Sequence, residues 1–260
     1  MRRGRDQDNS VWQSPTLAKK NQKKVQAWKY RQIFNGFLTS ISDNIHIMSR
    51  IFLLRHGETE GNAERIYRGR WDLPLNSTGK KQAARAGEAL KSIKFSSIFV
   101  SPLRRARETA AAIIAATGDC ELITEQNLID IDYGAWTKRP AADVAASHPE
   151  LTAMWARSPH DVGFPEGESL DDVRGRIETL FGDFSKTGVE GNVLFVSHRV
   201  PIKVALCHFL GLPNASFWSV AVDTASISVI NLRRDRATLV FSNETCHLRS
   251  INGKLGVVDF

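Results

Sequence analysis

Residues 51–59 read IFLLRHGET, in which four consecutive apolar residues lead directly into a polar segment that contains a glycine. Residues 192–198, NVLFVSH, have the same arrangement, and residues 96–100, SSIFV, contain a third short apolar run. Such a run without polar alternation is typical of a strand buried on both faces, as in a parallel sheet covered by helices. These stretches predict strands over 50–54, 96–100 and 192–197.

The segments that follow these strands have the periodicity of amphipathic helices. In one of them, for example, Ala106, Ala110 and Ile113 fall on a single helical face. Helices are predicted over 78–92, 104–117, 169–186 and 200–211. Because strands alternate with helices along the chain, the sequence predicts an α/β fold, a three-layer sandwich with a mostly parallel central sheet flanked by helices.

Two further parts of the chain complete this outline. The segments 224–232 and 236–242 alternate apolar and polar residues on either side of a charged turn, and they predict a hairpin. The stretch 135–168 is rich in proline and poor in strand signals. It predicts a small helical or loop insertion that forms a cap over the sheet, and we interpret Trp136 and Trp155 in this insertion as core residues.

Length and composition are those of an ordinary globular protein. The chain has 260 residues, of which 42% are hydrophobic and 24% charged, so it can bury a sizeable core. No apolar run reaches the roughly 18 residues of a transmembrane helix. The three cysteines, Cys120, Cys207 and Cys246, contain no CxxC pair. This disfavours a disulfide scaffold or a zinc ribbon and favours a reducing, cytoplasmic location.

The net charge of +7 is unevenly distributed along the chain. Residues 1–47 contain nine Lys or Arg and three acidic residues, whereas the remainder contains 26 and 25. We predict a basic, disordered N-terminal extension over 1–47, with Met48 as the natural start, and one folded domain over 48–260. No nucleic-acid partner is expected for that domain, and any binding to nucleic acid or membrane would belong to 1–47.

Polar residues follow each of the three predicted parallel strands. Arg55 and His56 follow the first, Ser101 and Arg105 the second, and His198 the third. In a sheet of this kind, ligands bind beyond the carboxyl ends of the strands. Two histidines and at least two arginines are therefore expected to line one crevice.

These residue types suit phosphoryl transfer. The planar fork of arginine matches a phosphate group, and a histidine beside guanidinium groups resists protonation. A neutral imidazole such as that of His56 can attack phosphorus and form a phosphohistidine. The leaving oxygen then needs a proton, and the segment 128–134, LIDIDYG, offers two carboxylic acids, Asp130 and Asp132.

Three motifs in this order resemble the histidine phosphatase superfamily, in its phosphoglycerate mutase-like branch. They are LRHGET at 54–59, SPLRRA at 101–106 and Ser197-His198, and the similarity runs over about residues 50–212. The resemblance implies that His56 is the phospho-acceptor. It also assigns residues that would hold the phosphoryl group or the substrate: Arg55, Asn62, Arg105 and His198 for the phosphoryl group, and Arg68 and Gly69 where many relatives have Gln-Gly.

Two positions depart from the pattern of this family. Relatives often have Glu in the acidic segment, where this chain has Asp130. We predict that Asp130 is the proton donor, with Asp132 as the alternate. Arg199 stands after His198, where glycine or another small residue is common. It either adds a cation to the substrate pocket or points away and covers the start of the helix.

Other catalytic chemistries lack their motifs in this sequence. HExxH, GxSxG and GxxxxGK[ST] are absent, and no cysteine has an arginine six residues later. A metal between His56 and His198 would lie among arginines, which repel a cation. We therefore predict neither a metal nor another cofactor.

The sequence thus predicts a metal-independent phosphatase that hydrolyses small phosphomonoesters through a phosphohistidine, with residues 48–260 as the catalytic domain. Its expected partner is a small phosphorylated metabolite, and the sequence leaves the oligomeric state open. One alternative is phosphotransfer of the phosphoglycerate mutase type. A second is a catalytically silent module that binds a phosphorylated ligand or a protein.

Overall fold

The computed structural model of the chain describes residues 49–118, 120–187, 190–233 and 236–252. The predicted extension over 1–47 and its proposed boundary at Met48 lie outside the described residues.

A mixed sheet forms the centre of this part of the chain. Within the described residues it has six strands in the order β3-β2-β4-β1-β5-β6. The first four strands in this order pair in parallel with one another, whereas β5 pairs antiparallel with β1 and β6 pairs antiparallel with β5. The strands are β1 Ser49–Arg55, β2 Phe95–Val100, β3 Glu121–Thr124, β4 Gly191–Ser197, β5 Ile227–Leu232 and β6 Ala237–Glu244.

Helices of very different length connect these strands. The α-helices are α1 Glu60–Ala63, α2 Ser77–Leu90, α3 Arg104–Thr117, α4 Ala141–Ser147, α5 Pro149–Arg157, α6 Leu170–Thr187, α7 Arg199–Phe209 and α8 Arg249–Asn252. Short 3-10 helices lie at Gln126–Leu128, Gly134–Trp136, Pro159–Asp161, Asn214–Ser219 and Cys246–Leu248.

The predicted α/β fold is confirmed. The three predicted buried strands, the four long helices and the C-terminal hairpin are all present, with boundaries shifted by up to three residues. β3 was missed because it is a short edge strand with mostly exposed side chains, and Leu122 in it is 45% exposed. A strand that is buried on one face of a sheet shows alternating apolar and polar residues in its sequence. β3 is not buried in this way, so it lacks that alternation.

Apolar side chains cover the sheet on both faces. Along β4, Val193 and Phe195 belong to the core cluster on one face, and Leu194 and Val196 to the cluster on the other. α6 and α7 pack on the first face and α2 and α3 on the second. This double coverage explains the uninterrupted apolar runs in the sequence.

The insertion carries the two short helices α4 and α5. Trp136 and Trp155 are buried in it and belong to the same core cluster as Phe195 of β4, which confirms that they are core residues. Its helices join the first face of the sheet through this cluster. Among the described residues, no helix is both long and apolar enough to cross a bilayer.

Candidate active site

The ends of three parallel strands bring the polar segments together. β1 and β4 run in parallel with Arg55 opposite Ser197, and the amide of His56 donates to the carbonyl of Ser197 at 2.9 Å. The amide of Ser101, directly after β2, donates to the carbonyl of Val196 at 3.0 Å. The segments that follow β1, β2 and β4 therefore meet at one edge of the sheet.

The tautomer of His56 is fixed by a local hydrogen bond. The imidazole is buried, and its Nδ1 lies 2.6 Å from the carbonyl oxygen of Gly57. Because a carbonyl oxygen can only accept, the ring proton is on Nδ1. Nε2 therefore keeps its lone pair, and it is the nitrogen that can act as a nucleophile.

Close packing explains the glycine after His56. A Cβ on Gly57 would lie 2.5 Å from the carbonyl oxygen of Gly79, in the first turn of α2. The amide of Gly57 also donates to Thr109 Oγ1 of α3 at 3.1 Å. A larger residue at this position would push the nucleophile segment away from both helices.

Positive charges surround the neutral His56 ring. Burial lowers the pKa of His56 well below its ordinary value, and the guanidinium groups of Arg105, Arg55 and Arg68 lower this pKa further. The hydrogen bond to Gly57 acts in the opposite direction but does not reverse the shift. The imidazole is therefore uncharged at neutral pH, and the arginines around it favour an anionic ligand.

The second histidine lies beside the first. The ring centres of His56 and His198 are 5.1 Å apart. Arg105 Nε donates to Nδ1 of His198 at 3.1 Å, so the ring proton is on Nε2, which donates to Ser101 Oγ at 2.7 Å. Burial, and then the charge of Arg105, lower the pKa of His198 well below its ordinary value.

Arg105 links several parts of the site through one fully buried guanidinium. Nη1 donates to the carbonyl of Trp71 at 2.9 Å, and Nη2 donates to the carbonyl of Gly69 at 2.8 Å. Nη2 also lies 3.1 Å from Oδ2 of Asp130. The structure thus places Gly69 against Arg105, through its carbonyl group.

The two candidate acids occupy different places. Asp130 is buried, and its Oδ2 lies 3.1 Å from Arg105 Nη2 and 3.8 Å from His198 Nδ1. The Asp132 side chain is one-third exposed, and its Oδ2 lies 3.5 Å from Nη1 of the partly exposed Arg70. Its Oδ1 accepts from the amide of Gly134 at 2.9 Å, within the same turn. The structure therefore brings Asp130, and not Asp132, next to the histidines.

Backbone carbonyls orient two further arginines. Arg55 Nη1 donates to the carbonyl of Val222 at 2.8 Å. Arg68 Nη1 donates to the carbonyls of Gly61 and Ile66 at 2.8 and 3.1 Å. Both guanidinium groups act on the pKa of His56, as described above, so each is held where its charge reaches this imidazole.

Asn62 organises the short helix α1 next to this cluster. Its Oδ1 accepts from the amide of Thr59 at 3.0 Å and from Thr59 Oγ1 at 2.8 Å. These bonds form a capping box at the start of α1 and hold the buried Asn62 side chain against Thr59.

Comparison with known proteins decides the family. The sequence profile of the Histidine phosphatase superfamily (branch 1) matches residues 51–245. The chain belongs to this superfamily. "Phosphoserine phosphatase 1" of Hydrogenobacter thermophilus is 36% identical over 201 residues, 77% of this chain and 95% of that protein.

Other relatives of this histidine phosphatase have different names. "Probable phosphoglycerate mutase GpmB" of an Enterobacter species is 30% identical over 184 residues, 71% of this chain and 85% of that protein. The crystal structure of the α-ribazole phosphatase of Shigella flexneri superposes with a TM-score of 0.69 at 27% identity, over 75% of this chain and 96% of that chain. The family and the fold of this phosphatase agree with the resemblance seen in its sequence.

Arg199 is the first residue of α7. It is almost fully buried, and its guanidinium lies 5.7 Å from the ring centre of Trp218. Burial raises the pKa of Tyr133, while the charge of Arg199 and its hydrogen bond to the tyrosine oppose this shift. Arg199 therefore points towards the aromatic residues beside the site.

Two charged residues near the phosphatase site were missed in the sequence. Arg176 of α6 donates to the carbonyl of Asn127 at 2.6 Å and contributes to the low pKa of His198. Its position in an amphipathic helix gave no signal. Lys203 is buried among aromatic rings, with Nζ 4.4 Å from the ring centre of Trp218, and burial lowers its pKa to about 7. A lone lysine inside the apolar stretch 200–207 is the signal that could have revealed it.

Proposed function

We propose that residues 48–260 form the catalytic domain of a metal-independent phosphatase that hydrolyses small phosphomonoesters through a phosphohistidine at His56. One observation carries this proposal. The bond from Nδ1 to Gly57 leaves the lone pair of Nε2 available, in a pocket where Arg55, Arg68 and Arg105 supply positive charge. A neutral nucleophile among fixed cations is the arrangement that attack on a phosphate dianion requires.

In the first step, Nε2 of His56 attacks phosphorus while the bond between phosphorus and the ester oxygen breaks. The guanidinium groups neutralise the charge on the non-bridging oxygens. The leaving oxygen takes a proton from the carboxylic acid of Asp130, so that an alcohol departs and a phosphohistidine remains. Asp130 is the candidate acid that lies beside His198, which supports this assignment.

In the second step, water attacks the phosphohistidine. Asp130, now a carboxylate, takes one proton of the water as its oxygen bonds to phosphorus. The bond between phosphorus and Nε2 breaks, which restores the neutral imidazole and releases inorganic phosphate. Arg55, Arg105 and His198 are proposed to hold the phosphoryl group through both steps, together with Asn62. Arg68, Gly69 and Arg199 are proposed to contact the rest of the substrate.

The named activities of the relatives support a small phosphomonoester as substrate, because they include a phosphoserine phosphatase and an α-ribazole phosphatase. The name of the Enterobacter relative supports a second candidate, in which the phosphohistidine passes its phosphate to another hydroxyl of the substrate. For location we propose the cytoplasm, because all three cysteines are free thiols.

The first experiment measures phosphate release from p-nitrophenyl phosphate in the presence of EDTA. We expect turnover by the wild type and a loss of at least about 1,000-fold in His56→Ala, because the nucleophile is removed. His208→Gln is the matched control, since His208 is a partly exposed histidine at the C-terminal end of α7, whereas His198 precedes its N-terminus. Loss of wild-type turnover on adding EDTA would contradict the metal-independent route. Isomerisation of 3-phosphoglycerate faster than its hydrolysis would favour the mutase.

A second experiment tests the proton donor. We expect Asp130→Asn to lower kcat/KM for an alkyl phosphate about 100-fold or more, because kcat/KM reports the phosphorylation step and an alkoxide leaves poorly without a proton. For p-nitrophenyl phosphate the loss should be about tenfold or less, since nitrophenolate leaves without protonation. Asp132→Asn should change either rate less than about threefold. Equal losses for both esters in Asp130→Asn would exclude Asp130 as the donor.

A further inference from the structure

The segment 222–226, which leads into β5, is hydrogen-bonded to Arg55, the last residue of β1, and to His56, which follows it. The carbonyl of Val222 accepts from Arg55 Nη1 at 2.8 Å. The amide of Ala225 donates to the carbonyl of His56 at 3.1 Å, and the amide of Arg55 donates to the carbonyl of Ser226 at 3.2 Å. We call 222–226 the support loop, because the main chain of the nucleophile and the guanidinium of Arg55 are both bonded to it.

The support loop contains backbone strain at its centre. Ala225 has φ +53°, in the left-handed region that is unfavourable for a residue with a Cβ. The conformation lets its amide face His56 while its carbonyl faces the opposite way. Such a conformation persists only where surrounding contacts hold it in place, so the partner of the Ala225 carbonyl matters.

That partner is His247, in the 3-10 turn after β6. Nε2 of His247 donates to the carbonyl of Ala225 at 3.0 Å. Nδ1 lies 3.1 Å from Oε2 of Glu244, and the imidazole is only 7% exposed. A carbonyl and a carboxylate both accept hydrogen bonds, so both contacts form together when the ring is an imidazolium.

Glu244 is itself held in place. Its Oε1 accepts from the amide of Cys246 at 2.6 Å. Burial alone would raise the pKa of Glu244, but the hydrogen bonds from His247 and Cys246 hold that pKa below its ordinary value. The carboxylate therefore stays ionised and fixes the orientation of the imidazole. The contacts run from Glu244 through His247 and Ala225 to the main chain of His56.

We propose that His247, oriented by Glu244, is a positioning residue for the nucleophile. It fixes the strained Ala225 peptide and thereby the carbonyl of His56 and the guanidinium of Arg55. This inference rests on the proposed function, because the quantity it controls is the rate at which His56 is phosphorylated. His247 has no contact with the reacting atoms, so its loss should affect catalysis and leave substrate binding nearly unchanged.

The test compares His247→Ala with His247→Gln. A displacement of the reacting atoms by about 1 Å can cost 100-fold in rate, so we expect His247→Ala to lower kcat for p-nitrophenyl phosphate about tenfold or more, with KM within about threefold. The amide nitrogen of glutamine can reach the position of Nε2 and donate to Ala225. His247→Gln should therefore recover kcat to within about threefold of the wild type. His208→Gln again serves as the control, because His208 also faces a carboxylate, that of Glu178 at 3.6 Å.

Rapid-quench measurement of acid-labile phosphate on the protein reports the phosphorylation step directly. The burst rate should fall in His247→Ala about tenfold or more, because the burst reports formation of the phosphohistidine, whereas kcat also includes its hydrolysis. An unchanged burst rate in His247→Ala, or an equal loss in the Ala and Gln variants, overturns the positioning role. If His247→Ala does not fold, Glu244→Gln replaces it, with the same expected loss of kcat at constant KM. Wild-type turnover that is retained in His56→Ala would refute the proposed function and not this inference alone.

Discussion

At the scale of single residues, the site depends on two buried imidazoles that remain neutral. His56 and His198 each donate one ring proton to an oxygen acceptor, and burial and neighbouring guanidinium groups lower both pKa values. An imidazole that resists protonation remains a nucleophile under mildly acidic conditions. The same resistance to protonation makes the folded protein less stable at low pH.

The pH dependence of stability follows from this shift. In the unfolded chain, a histidine binds a proton below a pH of about 6.5. In the folded protein His198 stays neutral there, so the unfolded state binds more protons and stability falls as the pH decreases. Each such histidine contributes a slope of about 1.4 kcal/mol per pH unit below about pH 6.5.

We therefore expect the free energy of unfolding to fall steeply from pH 6.5 to pH 5, and the slope to be clearly smaller in His198→Gln. Glutamine keeps a donor for Ser101 and does not titrate. Urea unfolding at pH 7, 6 and 5 measures this slope. His208→Gln should retain the wild-type slope. A His198→Gln slope equal to that of the wild type would show that His198 is protonated in the folded state.

At the scale of elements, Glu168 connects the acidic segment to α6. Its Oε2 accepts from the amide of Asp132 at 3.0 Å, and its Oε1 lies 2.7 Å from Arg70 Nη2 and 3.4 Å from Arg176 Nε. Arg176 is largely buried and in turn donates to the carbonyl of Asn127. One carboxylate thus holds the segment that carries Asp130 against the helix that covers it.

We expect Glu168→Gln to lower the free energy of unfolding by about 1–3 kcal/mol, because a largely buried guanidinium loses its counter-charge. Glu178→Gln is the matched control. Glu178 pairs with Arg174 on the same helix but is about half exposed, so its loss should be about 0.5 kcal/mol or less. Urea unfolding of both variants at pH 7 makes the comparison. Equal losses in the two variants would contradict the connecting role of Glu168.

The elements and the motif residues were predictable for the same physical reason. Strands such as β4 are buried on both faces, and this burial leaves a local apolar run. His56, Arg105 and His198 come shortly after such runs, so their convergence could be inferred because parallel strands end at the same edge of a sheet. The sequence alone could not show which of Asp130 and Asp132 lies beside the histidines. Both are in one short segment, and only their tertiary contacts distinguish them.

The supporting residues left no local signal. Arg176 and His247 act on groups that are distant in sequence, and each occurs in a segment of ordinary composition. Their roles depend on which carbonyl or carboxylate packs opposite them in the fold. The strain at Ala225 is equally invisible in the sequence, since alanine gives no indication of a positive φ.

At the scale of the whole molecule, the insertion is part of the main core. The rings of Trp136 and Phe164 are 5.1 Å apart, as are those of Trp155 and Phe164. The same buried cluster includes Phe195 in the middle of the sheet. A cap that shares its core with the sheet has no hydrophobic core of its own. It can therefore neither stay folded nor unfold independently of the sheet.

We therefore expect the insertion and the sheet to unfold in one cooperative transition. In a variant with Trp12, Trp28, Trp71 and Trp218 replaced by phenylalanine, the two remaining tryptophans, Trp136 and Trp155, both lie in the insertion. Tryptophan fluorescence then reports on the insertion, whereas far-UV circular dichroism reports on all helices and strands. Both signals should give the same urea midpoint and the same slope. An earlier fluorescence transition would show that the insertion opens before the sheet unfolds. In that case opening of the cap would control access to His56. Phosphatase activity should then be lost at the urea midpoint of the fluorescence signal, where the circular dichroism is still native.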